Sequence, residues 1–279
     1  MAVAMVAGMS VVRRDTNPRG GFSSWTLRWI KMKGNDMNWQ NSEYGYESDD
    51  MGSLTVAQAS VQSRASFLFK TYLHLVGAIL LFVAIEVLFF STPAIRDFGE
   101  MLLTTGRMAW LGIMVLFVVA ATLANSLAHS ERAAAVQYLG LGLYALIEAV
   151  IFLPILLLAE AVAPEAISQA AWATAIIFTL LTAAVLVTRQ DFSFLRSLLF
   201  FASFALIAVA IAAMFFGTAL MTFVIWFGIA LACGYILYDT SNVIHYYRPD
   251  QYVAASLALF ASVMLLFWYV LQLFISRRQ

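Results

Sequence analysis

Seven runs of about 20 apolar residues dominate this chain, and a run of that length is what an α-helix needs to cross the hydrocarbon core of a bilayer. They lie near residues 67–90, 108–128, 136–158, 170–188, 195–215, 219–242 and 252–275. The breaks between them carry helix-stopping punctuation. STPAIRDFGE contains Pro93, NSLAHSER separates the second and third runs, and EAVAPE contains Pro164. TRQDFS follows the fourth run, Phe216-Gly217-Thr218 is a minimal link, and HYYRPD contains Pro249. No ten-residue alternation of apolar and polar side chains appears, which excludes a transmembrane β-barrel pattern. The expected fold class is therefore all-α, a polytopic membrane protein of seven transmembrane helices.

Composition agrees with this reading. Hydrophobic residues make up 62% of the chain and charged residues 11%, against about 45–50% and about 25% in soluble domains. Sixteen basic residues balance sixteen acidic ones, which argues against a nucleic-acid surface. Lysine and arginine placement sets orientation in membranes. Arg13, Arg14, Arg19, Arg28, Lys31, Lys33, Arg64 and Lys70 precede or open the first span, and Arg132, Arg189, Arg196 and Arg248 fall in links on the same side. Summed over loops, this predicts a cytoplasmic N-terminus. A single cysteine, Cys233, leaves no intrachain disulfide and no cysteine-based zinc site.

Residues 1–60 differ in kind from 61–279, which are expected to form the membrane domain. MAVAMVAGMSVV is followed by basic residues instead of preceded by them, the reverse of a secretory signal. FSSWTLRWIKMK has the makings of a surface amphipathic helix, and NSEYGYESDDMGS is acidic and polar, as disordered segments are. The tail is expected to be a disordered or partly amphipathic cytoplasmic segment. Met1, Met37 and Met51 each open a chain that keeps all seven spans.

Ionisable groups inside spans are costly and mark candidate sites. His74 and Glu86 lie in the first span, the former placed to bond within the bundle and the latter to reach the headgroups. Glu148 sits mid-span in LGLGLYALIEAVIFLPIL, six residues before Pro154, which deprives the Val150 carbonyl of its helix donor. Asp239 closes the sixth span within GYILYDTSNVIHYY, followed by Thr240, Ser241, Asn242 and His245. Asp239 and Asn242 are three residues apart and share a helix face. Gly228, Ala230, Ala232 and Gly234 precede them, and small residues let membrane helices approach closely. Asp191 and Ser193 precede the fifth span, where either side chain suits the free amides of a helix start.

Three stretches carry a family likeness. FLFKTYLHLVGAILLF (67–82), VLVTRQDFSFLRSLL (185–199) and GYILYDTSNVIHYYRPDQYVAASLALFASVMLLFWYVLQLF (234–274) resemble the Bax inhibitor-1/YccA family of seven-helix membrane proteins, most closely its YccA-like branch. The resemblance implies a Bax inhibitor-1-like bundle over roughly residues 60–275. In the calcium-leak branch of that family, an aspartate at the position of Asp239 pairs with a second one in the last span. Two close carboxylates share a proton and suit a hard cation such as Ca²⁺. Here the second position is Ser262, so the two-carboxylate latch does not carry over intact. Asp239 and Ser262 are expected to meet only if the last two spans pack antiparallel.

Competing classes fail on residues. The last span holds no lysine for a retinal Schiff base, and neither an HExxH motif nor a P-loop occurs. No catalytic constellation, cofactor site or metal site is expected, and the chain reads as a non-enzyme whose surroundings are membrane lipid. The resemblance implies an inner-membrane protein of bacteria that binds the FtsH protease and restrains its turnover of other membrane proteins. The alternative is a pH-sensitive Ca²⁺ or H⁺ leak centred on Asp239, with Ser262, Glu148 and Asn242 as sensing candidates.

Overall fold

The computed structural model describes residues 55–104, 107–128 and 134–277. The expectations for the tail before Thr55, including the amphipathic segment and the alternative starts, lie outside the described residues. Among the described residues, eight helices succeed one another in chain order: α1 (Val61–Ser91), α2 (Pro93–Thr104), α3 (Arg107–Ala128), α4 (Ala134–Val162), α5 (Glu165–Thr188), α6 (Leu195–Phe216), α7 (Thr218–His245) and α8 (Tyr252–Ser276). Among the described residues, α1 and α4 to α8 are each long and apolar enough to cross a membrane. Helix α3 stands at the second expected span, with an apolar stretch at Val118–Ala128.

The expected spans all coincide with helices, and several helices run further than apolar character alone suggests. Helix α1 starts at Val61 because the Ser60 side chain caps it, accepting the Ser63 amide at 3.2 Å. Helix α5 begins at Glu165, directly after Pro164, where an acidic first turn complements the helix dipole. Helix α2 is an addition to the expected elements. Pro93 does separate α1 from the next segment, yet it also occupies the first helical position, where its missing amide costs nothing. The resulting short helix is amphipathic, burying Gly99 and Leu102 and exposing Phe98 and Met101.

Helix α8 is the axis of the bundle. Sixteen of its 25 residues are buried, and α1, α3, α4, α5 and α7 all pack on it. A helix apolar all round is stable where protein or lipid covers every face, and here protein covers most of them. Its Phe267 stacks on Phe152 of α4 at 5.4 Å, and Trp268 and Phe82 meet the same ring edge-on at 5.2 and 5.3 Å. Offset or edge-on ring pairs of this kind add about 0.5–1.5 kcal/mol each beyond area burial.

Close approach explains the small residues of α7. A Cβ on Gly228 would lie 2.6 Å from the Tyr269 ring of α8, and one on Gly234 would lie 2.8 Å from Leu199 of α6. Ala232 is fully buried as well, whereas Ala230 turns outward. Between α6 and α7, Gly217 adopts φ of 99°, a conformation open to glycine and strained for other residues. The two-helix hairpin closes there with no further loop.

Candidate functional site

The last two helices pack antiparallel and form one of the most extensive contacts in the bundle. This arrangement brings Asp239 and Ser262 together: the Ser262 hydroxyl donates to Asp239 Oδ2. Ser262 is fully buried and Asp239 is 9% exposed. The carboxylate stands six residues before the end of α7, about 9 Å in from its terminus. Tyr144 of α4, Tyr235 of α7 and Tyr247 of the α7–α8 link lie within its electrostatic reach.

The polar run after Asp239 holds the neighbouring link in place. Ser241 Oγ accepts the Phe192 amide at 2.9 Å and donates to the Gln190 carbonyl at 3.3 Å. Tyr246 donates its hydroxyl to Asp191 Oδ2, and Asp191 Oδ1 accepts the Ser193 amide at 2.8 Å. His245 Nδ1 meets the Ser241 carbonyl at 2.9 Å. The two motifs TRQDFS and YDTSNVIHYY are therefore one assembly, with the α5–α6 link fastened across the end of α7. Asn242 is buried, and its carbonyl accepts the amides of Tyr246 and Tyr247, which ends the helix.

Asp191 and Ser193 do not cap α6. The helix begins at Leu195, and its N-cap residue Phe194 supplies no side-chain hydrogen bond. The reason is competition: Asp191 is engaged by the Ser193 amide in a local turn and by Tyr246. Partial burial pushes the Asp191 carboxyl upward, but the hydrogen bonds from Tyr246 and Ser193, with His245 nearby, outweigh it and hold the group below its ordinary value.

Tyr235 ties the site to α6. Ser203 Oγ donates to the Leu199 carbonyl at 2.8 Å, so its single proton is committed and Tyr235 donates to it, also at 2.8 Å. On the α1 side, Val56 is fully buried and its amide donates to the Tyr247 carbonyl at 2.8 Å. Val56 thus fastens the segment before α1 to the link that follows α7.

Glu148 is fully buried in the middle of α4, and Pro154 is taken into the same helix without interrupting it. Neither Glu148 oxygen has a partner at ordinary hydrogen-bond geometry, but the Tyr144 phenol one turn earlier stands close enough to act as a looser donor. Tyr144 also senses Asp239, so the three groups form a sequence through the core. His74 bonds within the bundle as its position predicts: Nε2 meets the Tyr138 hydroxyl of α4 at 3.1 Å. Glu86 does not reach out to the headgroups. It is 7% exposed and turned into the protein, and both its oxygens lack partners. Among the described residues, no three His, Cys, Asp or Glu side chains gather to hold a metal ion.

A family model described as "Inhibitor of apoptosis-promoting Bax1" matches residues 64–279. The chain belongs to the Bax inhibitor-1 family. It is 30% identical over 231 residues to the Golgi anti-apoptotic protein of Vaccinia virus (strain Lister), covering 81% of this chain and 92% of the viral one. It is 29% identical over 239 residues to protein lifeguard 4 of Mus musculus, covering 81% and 91%. Bax inhibitor 1 of Schizosaccharomyces pombe is 33% identical over 111 residues, covering 38% and 41%. The match takes in α1 through α8, so the assembly of Asp239, Ser262 and the α5–α6 link lies inside the shared Bax inhibitor-1 domain.

Proposed function

We propose that this Bax inhibitor-1 family member is a non-enzymatic regulator in a bacterial inner membrane, with its N-terminus cytoplasmic, that restrains membrane-protein degradation by binding the FtsH protease. The observation that carries this reading is the closed contact between Asp239 and Ser262. A carboxylate and a hydroxyl make a satisfied pair, whereas two carboxylates at that place would repel and drive the helices apart when ionised. The site therefore favours a static scaffold over a gate. The relatives' names, anti-apoptotic protein and Bax inhibitor, describe inhibitors, which fits regulation through contact. Residues 37–60 supply a polar segment for a protease to grip, and Val56 anchors its end to the face that holds Asp239. The test is co-purification with FtsH of the full chain and of a chain starting at Thr55, which retains that anchor. The expected result is loss of binding and of slow turnover in the shorter chain. Unchanged binding and turnover would remove the reading's main support.

A second reading has its own observation: Asp239, Tyr144 and Glu148 stand in succession through the core. Such a series suits a pH-sensitive Ca²⁺ or H⁺ leak, since intramembrane carboxylates mark ion and proton pathways. Flux in proteoliposomes across pH would test it, comparing the native chain with Asp239→Asn. Flux that the substitution abolishes supports a leak. No flux, or flux indifferent to the substitution, refutes it.

A further inference from the structure

Helices α1 and α5 both pack on α8 and barely meet one another. The gap between them is a cleft of about 870 Å³, floored by Val263, Met264 and Phe267 of α8. That volume is in the range of small-molecule sites, about 300–1,000 Å³. Its walls are almost wholly apolar; of five polar side chains, Ser91 and Thr179 bond the Leu88 and Ala175 carbonyls of their own helices, which leaves Tyr72 and Glu86 on α1 and Thr174 on α5. Each of these three has buried polar atoms without a hydrogen-bond partner: the Tyr72 hydroxyl, both Glu86 oxygens and the Thr174 hydroxyl. Glu86 is 7% exposed and Thr174 4%. Buried polar atoms are nearly always paired in folded proteins. Unpaired polar atoms lining a single cleft point to a bound ligand, and Glu86, the one carboxyl among them, is the group that would hold its polar end.

The geometry sets the shape of that ligand. Tyr72 and Glu86 are fourteen residues apart on one helix, about 21 Å along its axis. This exceeds the ~15 Å depth of one leaflet's hydrocarbon. Phe90 and Ser91, the last residues of α1, also line the cleft, so it reaches the helix end. Glu86 lies about 7.5 Å below that end, where the polar part of an amphiphile meets its chain.

Charge sets the head group. The segments at this end carry Asp97, Glu100, Glu160 and Glu165 against Arg96 and Arg107. Arg96 is already committed to Glu160 at 2.6 Å and to Glu100 at 3.5 Å. An anionic head would face acidic groups and an unpaired carboxyl, while a cationic one is complementary. We propose that the α1–α5 cleft binds a single-chain amphiphile with a primary ammonium head, the ammonium donating to Glu86 and the chain lying toward Tyr72. This assignment is independent of the FtsH and leak readings, because it uses Glu86 and the α1–α5 face and none of Asp239, Ser262 or Glu148.

The test uses the full chain in detergent, titrated with hexadecylamine, hexadecanol and hexadecanoate, and reads one-to-one adducts by native mass spectrometry alongside the shift in melting temperature. The amine is expected to bind about tenfold more tightly than the alcohol, the advantage of a charge-assisted hydrogen bond, and the carboxylate more weakly still. Glu86→Gln is expected to abolish the preference for amine over alcohol while leaving the alcohol bound. Ala171→Trp, which fills the cleft from α5, is expected to remove all three adducts. Thr174→Val leaves the carboxyl in place and is expected to preserve the amine preference, a control if Glu86→Gln fails to fold. Equal binding of the three chains, a preference for hexadecanoate, or an amine adduct that survives Ala171→Trp would overturn the proposal.

Discussion

Two buried carboxyl groups in the bundle have opposite circumstances. Asp239 accepts the Ser262 hydroxyl, whereas Glu148 has only the loosely placed Tyr144 phenol and no partner at ordinary hydrogen-bond geometry. A buried polar group stripped of its partner costs about 1–3 kcal/mol. Ser262→Ala is therefore expected to destabilise the protein by about that amount, read as a lower melting temperature in detergent. An unchanged melting temperature would mean that the contact adds nothing to stability. Glu148→Leu is expected to act in the other direction. Replacing an unsatisfied buried carboxyl by an apolar side chain of similar size removes a standing penalty and should stabilise by about 1–2 kcal/mol. A loss of stability would show that Glu148 is bonded in the folded protein.

At the scale of elements, the α5–α6 link is positioned by the end of α7. Ser241 takes the Phe192 amide and gives its proton to the Gln190 carbonyl, so one hydroxyl bonds two backbone groups of the link. Ser241→Ala is expected to cost about 1–2 kcal/mol in local stability. The measurement is amide hydrogen exchange: protection should fall at residues 190–193 while the middle of α8 stays protected. Uniform loss across the chain would instead indicate a general role in folding. The motif TRQDFS reads in the sequence as a helix start with two capping candidates. Its actual partners, Ser241 and Tyr246, stand about 50 residues away, and local pattern cannot reveal them.

At the scale of the whole molecule, Asp191 links stability to pH. Its carboxyl is held below the ordinary value of about 3.9 in the folded protein. The folded state thus binds its proton less readily than the unfolded chain does. The stabilisation is therefore fully present above the unfolded value and is lost as pH falls through the lower folded one. Asp191 is exposed, so solvent screens its interactions and the effect is small. The melting temperatures of the native chain and of Asp191→Asn are expected to differ near neutral pH and to converge below about pH 4. A constant gap from pH 6 to pH 3 would contradict the assignment.

The apolar runs by themselves determined the all-α membrane architecture and the approximate bounds of every spanning helix. Lipid offers the backbone no hydrogen-bond partners, so 20 apolar residues have little choice but a helix. The motifs at 185–199 and 234–274 were enough to suggest the family and to single out Asp239 and Ser262. Three things were decided only by tertiary structure. Pro93 opens an additional helix because α2 finds an apolar seat on α4 through Gly99. Asp239 meets Ser262, 23 residues away, because α7 and α8 pack antiparallel. Glu86 turns inward because α1 and α5 both lean on α8 and leave a cleft between them. A helix period says which residues share a face, but the neighbour that face meets depends on how all the helices pack at once.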